Sequence, residues 1–487
     1  MTLGAIDLAV LALYMAGALV LGLWVGRGQR SVDSYLVGGR DLPWWAILGS
    51  IVATETSTAT VLSVPGLAYA QGTGDLRFLQ LPLGYLVGRV LITLFLLPAY
   101  FRGAIVSAYE ILRERFGGST ERTASLIFLV TRNLIDGLRL FLTAIALEQV
   151  LGWPLLTCVM LIASVTIVYT AFGGMRSIVW NDCVQLVVYL LGGVAVLWVA
   201  VDGLPGGFDE LARFGAETGR WRVIDPTWSL ADPMVLIAGL VGGTFLTLGV
   251  HGTDQMLVQR YLSARSQRDA GRALIGSGFV VIAQFALFLV VGVALAAHES
   301  AHGVQPVSGD RALARFVVEE LPRNVGLVGL ILAAIFAATM STLSSSLSAS
   351  ASTLVSDWIR PLCKREPEPR RLLAWTRVAT VAFAALQVVV VLGAVGISRS
   401  VVTEALAVAG FSAGLLLGVF ALALLVPRAD QRAALVGLVA GTLCLLGVRF
   451  GLPHLGLAVA WPWYPVVGSL TVVTVGVASA ALRHRDA

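Results

Sequence analysis

Apolar runs of about 20 residues or more recur along this chain, separated by short polar stretches, and each is long enough to cross a bilayer as a helix. Thirteen such segments are predicted, at roughly 5–26, 43–70, 76–101, 121–150, 154–173, 177–203, 233–262, 271–298, 324–358, 371–396, 401–427, 432–451 and 462–482. Two of them are interrupted. The second carries Val64-Pro65-Gly66, and the seventh carries Gly242-Gly243 followed by Gly249-Val250-His251-Gly252. Proline removes a backbone donor and glycine weakens a helix, so both segments are expected to unwind locally. Glycine and proline are also common in ordinary membrane helices. As a pair in corresponding halves, however, they point to a transporter whose inverted repeats meet at a midplane site. On that reading residues 1–487 form a single transmembrane transporter domain. An extra N-terminal helix at 5–26 precedes repeats at 43–203 and 233–427, and two C-terminal helices occupy 432–482.

Composition agrees with a membrane protein. The chain is 57% hydrophobic and 13% charged, with a mean hydropathy of +0.84, whereas soluble domains are about 25% charged. Its net charge of +5 comes almost entirely from arginine, Lys364 being the only lysine. In a membrane protein such an excess reports orientation and not nucleic-acid binding. With the N-terminus outside, 20 basic residues fall in inner loops and 9 in outer loops, which favours an N-out, C-in topology in the cell (inner) membrane. The first segment lacks the basic start of a signal peptide and is expected to be retained. Loops at about 204–232 and 299–323 are short enough to act as lids. Cys158, Cys183, Cys363 and Cys444 show neither disulfide nor zinc spacing.

The polar residues inside the spans carry the chemistry. Ser341-Thr342-Leu343-Ser344-Ser345-Ser346 places five hydroxyls in six positions of an apolar run. A buried hydroxyl without a partner costs roughly 1–3 kcal/mol. Ser341, Ser344 and Ser345 share a helical face, which Ser348 and Ser352 extend, so the stripe serves either close helix packing or a hard cation. Glu55, in a run of hydroxyl residues, is an intramembrane acid and hence either functional or hydrogen-bonded to a neighbouring helix. Asp182 is a hydrated interface residue, a partner of Arg176, or part of a cation cage with the serines. Arg132, Asp136 and Arg139 lie on one face at i, i+4 and i+7, forming either an anion receptor or a closed ion network. Gln80 and Arg89 are further polar candidates for a cavity. Asp254 is placed to cap a half-helix, to bind substrate or to pair with Arg260. No nucleophile motif accompanies His251 and Asp254, so an enzyme is not expected.

Several of these stretches resemble the sodium:solute symporter family. Glu55 through Gly66 resembles its broken first core helix, and Ser107 through Gly117 its inner-loop motif. Gly173 through Gln185 resembles its glycine, aspartate and glutamine segment, Asp254 through Ser263 its "DQ … VQR" motif, and Ala338 through Ser344 its sodium helix. The resemblance implies an all-α integral membrane protein of about 13 transmembrane helices, with a LeuT-like 5+5 inverted repeat and two broken helices. It implies sodium-coupled symport of a small polar solute (a sugar, organic acid, amino acid or similar) by alternating access, with the solute and the lipid bilayer as partners and a monomer as the working unit. A sodium or solute sensor, or an ion channel, is the alternative. By resemblance one sodium ion is held by the carbonyls of Ala53, Thr56 and Ala338 and the hydroxyls of Ser341 and Thr342. Some members carry a second, whose matched positions are Asp182, Ser341, Ser344 and Ser345. Matched substrate positions are Glu55, Ser57, Thr60, Gln80, Arg132 and Asp254. The chain departs from sugar-transporting relatives, which have an amide where Glu55 and Asp254 stand, and Arg132 lacks a common counterpart across the family.

Overall fold

A computed structural model describes residues 3–27, 32–103, 105–365, 367–397, 407 and 410–483, all in helices and their connections apart from one isolated bridge between Leu42 and Ala264. Helix occupies each of the thirteen expected segments; in the segment 401–427, residues 401–406, 408 and 409 lie outside the described residues. The first helix, α1 (Ala5–Val25), precedes a bent pair, α2 (Trp44–Glu55) and α3 (Thr58–Tyr69). Next come α4 (Gln80–Leu91), the short α5 (Glu110–Phe116), α6 (Gly118–Leu151) and α7 (Leu155–Asp202). A short amphipathic helix, α8 (Gly207–Glu217), leads to a second interrupted pair, α9 (Gly243–Thr253) and α10 (Gln255–Leu262). The chain continues through α11 (Gln267–His302), a second amphipathic helix α12 (Gly309–Glu319), α13 (Leu327–Thr353), α14 (Pro369–Ala394), α15 (Phe411–Leu425), α16 (Gln431–Leu446) and α17 (Tyr464–Arg483). Among the described residues eight helices are long and apolar enough to cross a membrane, or nine with α2 and α3 taken as one bent span.

The centre of the molecule is α13. Its apolar stretch is 89% buried, against 22% for the peripheral α1. The N-terminal end of α13 is held by Asp7 of α1, whose carboxylate accepts the amides of Asn324 (2.7 Å) and Gly326 (2.9 Å). A negative charge there complements the helix dipole and satisfies amides that have no partner in the first turn. The 48-residue α7 turns sharply at Gly174, where φ is +56° and only glycine is unstrained. The turn covers the expected boundary between the segments 154–173 and 177–203. The hydroxyl of Tyr35 donates to the carbonyls of Thr170 (3.1 Å) and Ala171 (3.0 Å) just before it.

Both interruptions fall elsewhere than the glycines and proline suggest. The second segment leaves the helix at Thr56 and Ser57, with a bend of 63° between its halves, while Pro65 stays inside α3. Neighbours explain the difference. At the break the Thr56 side chain is anchored: its hydroxyl donates to the Val52 carbonyl (2.7 Å), which also keeps the Thr56 amide, and accepts from Gln284 (2.8 Å). Gly66 instead permits contact, since a Cβ there would lie 2.6 Å from the backbone of Gly309. In the seventh segment the break is at Asp254, and Gly249 and Gly252 serve close packing against α15 and the turn after α4. The side chain of Asp254 caps α10 by accepting the amide of Met256 at 2.8 Å.

Candidate functional site

The serine-rich turn of α13 lies against the break between α2 and α3. Thr342 donates to the Ala338 carbonyl (3.2 Å) and reaches the Thr54 carbonyl (3.5 Å), and the hydroxyls of Thr58 and Thr339 meet at 2.6 Å. Ala53, Thr56, Ala338, Ser341 and Thr342 are all buried. The chain becomes extended at Thr56 and Ser57, so the carbonyls of Ala53 and its successors end α2 without the helical amides that would follow in an unbroken helix. Strongly polar oxygens from two chain segments therefore face one another inside an apolar bundle. Among the described residues no group of three or more His, Cys, Asp or Glu side chains is placed to hold a metal. The oxygens available here are hydroxyls and carbonyls, a set that suits a hard cation and not zinc.

Asp182 is fully buried, away from the membrane interface, and is not paired with Arg176, which instead meets Asp41. One carboxylate oxygen of Asp182 accepts from Ser341 (2.6 Å). The other accepts from Ser50 (2.5 Å) and from Arg260 (3.0 Å). The buried Arg260 also donates to Ser50 through Nε (2.8 Å) and to the Ser345 hydroxyl. The sequence offered Asp254 as one partner for Arg260 and gave no sign of the pair with Asp182. The two residues lie on different helices, and helical spacing says nothing about partners across a bundle. Ser344 donates to the Ser341 carbonyl at 3.1 Å and Ser345 to the same carbonyl at 2.6 Å.

A cavity of about 590 Å³ opens from the two breaks and runs to Ala314 on α12 and to Trp461. It is lined by Glu55, Ser57, Thr60, Arg132 and Asp254, five of the six positions expected to meet a solute. Gln80 is not among the lining residues. Its amide donates to the carbonyls of Met234 (2.7 Å) and Arg77 (3.0 Å) and accepts from the amide of Asp225 (2.9 Å), so it pins the connection between α8 and α9. Glu55 is bound by Arg89 and lies 3.5 Å from His251 Nε2, while Arg89 also donates to Ser277 (2.7 Å). Arg132 donates to Asp254 (2.9 Å) and lies 3.5 Å from Asp136, which in turn lies 3.6 Å from Arg139. The face of α6 is thus an ion network extended across to the break at Asp254. Next to Asp254, Gln255 ties α10 to the connection before α5 by accepting from the amide of Ala108 (2.7 Å) and donating to the Val106 carbonyl (2.8 Å).

Two interrupted helices around a polar cavity, with a hydroxyl-rich helix against one break, define a secondary transporter of LeuT-like fold. The model of the sodium:solute symporter family matches residues 35–441, and the chain belongs to that family. It is 29% identical to the sodium/sialic acid symporter SiaT of Proteus mirabilis (strain HI4320), over 98% of this chain and 95% of that one. It is 31% identical to the sodium/iodide cotransporter of Homo sapiens, over 92% of this chain and 70% of that one. Among solved structures, a substrate-bound outward-open state of a Na⁺-coupled sialic acid symporter superposes with a TM-score of 0.90 at 28% identity, covering 98% of both chains.

Proposed function

We propose that this chain couples the inward flow of sodium to uptake of a small organic anion by alternating access. The observation that carries this reading is the turn from Ala338 to Thr342 set against the helix break at Thr56, with the arginine-lined cavity opening from the same break. Sodium bound by the carbonyls of Ala53, Thr56 and Ala338 and the hydroxyls of Ser341 and Thr342 ties the α2–α3 pair to α13. It shifts the conformational balance only through unequal affinity for the open and closed states. The cargoes named for the two relatives, sialic acid and iodide, are both anionic at neutral pH. The cavity here supplies Arg132 and Arg139, with Glu55, Ser57, Thr60 and Asp254 as further polar contacts.

A second sodium at Asp182, Ser341, Ser344 and Ser345 requires Arg260 to withdraw, because the guanidinium already neutralises Asp182. The arginine-rich loops belong on the cytoplasmic side, with the N-terminus outside, which places the lid helices α8 and α12 outside and opens the cavity outward. The working unit in this reading is a monomer in the inner membrane.

The test is uptake of radiolabelled monocarboxylates into proteoliposomes under an inward sodium or an inward potassium gradient. The proposal expects saturable accumulation above the outside concentration in sodium alone. Unsaturable flux would indicate a channel, and binding without accumulation a sensor; either result contradicts the proposal.

A further inference from the structure

We propose that Arg139, and not Arg132, receives the negatively charged group of the transported solute; the assignment rests on the anion-symport reading above. Two arginines, Arg132 and Arg139, line the cavity and a third, Arg89, is bound to the lining Glu55; the three differ in what already holds them. Arg89 is fully buried between Glu55 and Ser277. Arg132 has a side chain only 8% exposed and donates to Asp254 at 2.9 Å, with Met256 Sδ 3.5 Å from its other amino group. An incoming anion would have to break that buried pair and leave Asp254 without its counter-charge, which is costly in a low-dielectric site.

Arg139 is arranged differently. Its side chain is 40% exposed although it lies in the middle of α6. Its nearest counter-charge among the described residues is Asp136 Oδ1 at 3.6 Å, beyond hydrogen-bond distance, and neither oxygen of Asp136 has a hydrogen-bond partner. Asp136 therefore balances the charge of Arg139 without occupying its donors. A guanidinium in that condition offers a carboxylate two parallel donors without breaking a hydrogen bond to another side chain.

Position supports the same choice. Arg139 stands seven residues beyond Arg132, about 10 Å along the helix axis, where the cavity continues toward Ile145 and Ala146. It also lines a second, smaller space shared with Ser57, Thr58, Thr339 and Thr342. A solute held at Arg139 would thus sit beside the break and the proposed sodium helix together. Phe78, Tyr85, Phe285 and Trp461 supply apolar walls for the remainder of the solute.

The experiment is thermal-shift titration of the full-length protein in detergent, in sodium, with hexanoate and benzoate and with their neutral amides as controls. Wild type should be stabilised saturably by at least one acid and by neither amide. Arg139→Gln should weaken the apparent affinity for that acid by tenfold or more, and Arg139→Lys should recover part of the loss. Stabilisation by sodium alone should survive in Arg139→Gln, showing a folded protein. If Arg139→Gln binds the acid within about twofold of wild type, the assignment is overturned while anion symport stands. If neither acid stabilises wild type more than its amide, the anion reading falls and the assignment with it.

Discussion

Each of three buried arginines is matched to one carboxylate on another helix: Arg89 to Glu55, Arg132 to Asp254 and Arg260 to Asp182. Removing one member of such a pair strands the other charge, at a cost of about 3–5 kcal/mol, whereas replacing both often costs little. Asp182→Asn is therefore expected to lower the unfolding temperature sharply in detergent, and Asp182→Asn combined with Arg260→Met to recover most of the loss. A double variant no more stable than the single one would show that the pair does not act as a unit. Glu55 and Asp182 were legible in the sequence because a carboxylate inside an apolar run is conspicuous. Their partners were not, because they are brought in by the fold from 34 and 78 residues away. The group on α6 is the instructive contrast. Arg132, Asp136 and Arg139 share one helix, so spacing alone placed them together, and only the link to Asp254 had to come from tertiary structure.

Among the elements, the two interruptions were legible as events and misplaced as positions. Glycine and proline mark where a helix is weak or where another backbone approaches closely, and the sequence does not separate these uses. Here Gly66 and Gly309 bring α3 and α12 into backbone contact: a Cβ on Gly309 would lie 2.5 Å from the Gly66 carbonyl oxygen. Gly309→Ala should force α12 off α3. Overpacking of this kind costs about 1–3 kcal/mol, and solute uptake should fall with it; unchanged uptake and stability would mean the contact yields without consequence. At the other break, Asp254 combines a cap with a counter-charge. Asp254→Asn keeps an acceptor for the Met256 amide but leaves Arg132 with Asp136, 3.5 Å away, as its remaining counter-charge, whereas Asp254→Ala also loses a cap worth about 1 kcal/mol. Thermal unfolding should rank wild type above Asp254→Asn and Asp254→Ala lowest, and equal stabilities for the two variants would remove the cap from the account.

For the whole molecule, sodium and solute must influence one another equally, since a coupling free energy between two sites is reciprocal. The break at Thr56 provides the physical link. Its carbonyl side meets α13 through Thr54 and Thr342, and Ser57 and Thr60 just beyond it line the cavity. The account therefore stands or falls on sodium binding at that junction. The most direct measurement is the unfolding temperature of purified protein titrated with sodium or potassium at constant ionic strength, for wild type and for Ser341→Ala/Thr342→Ala. A specific site at ten times its dissociation constant adds about 1.4 kcal/mol. The account predicts that sodium alone stabilises wild type, saturably, and that the double variant loses the effect while remaining folded. Equal effects of sodium and potassium on wild type, or full sodium stabilisation retained by the double variant, would contradict it.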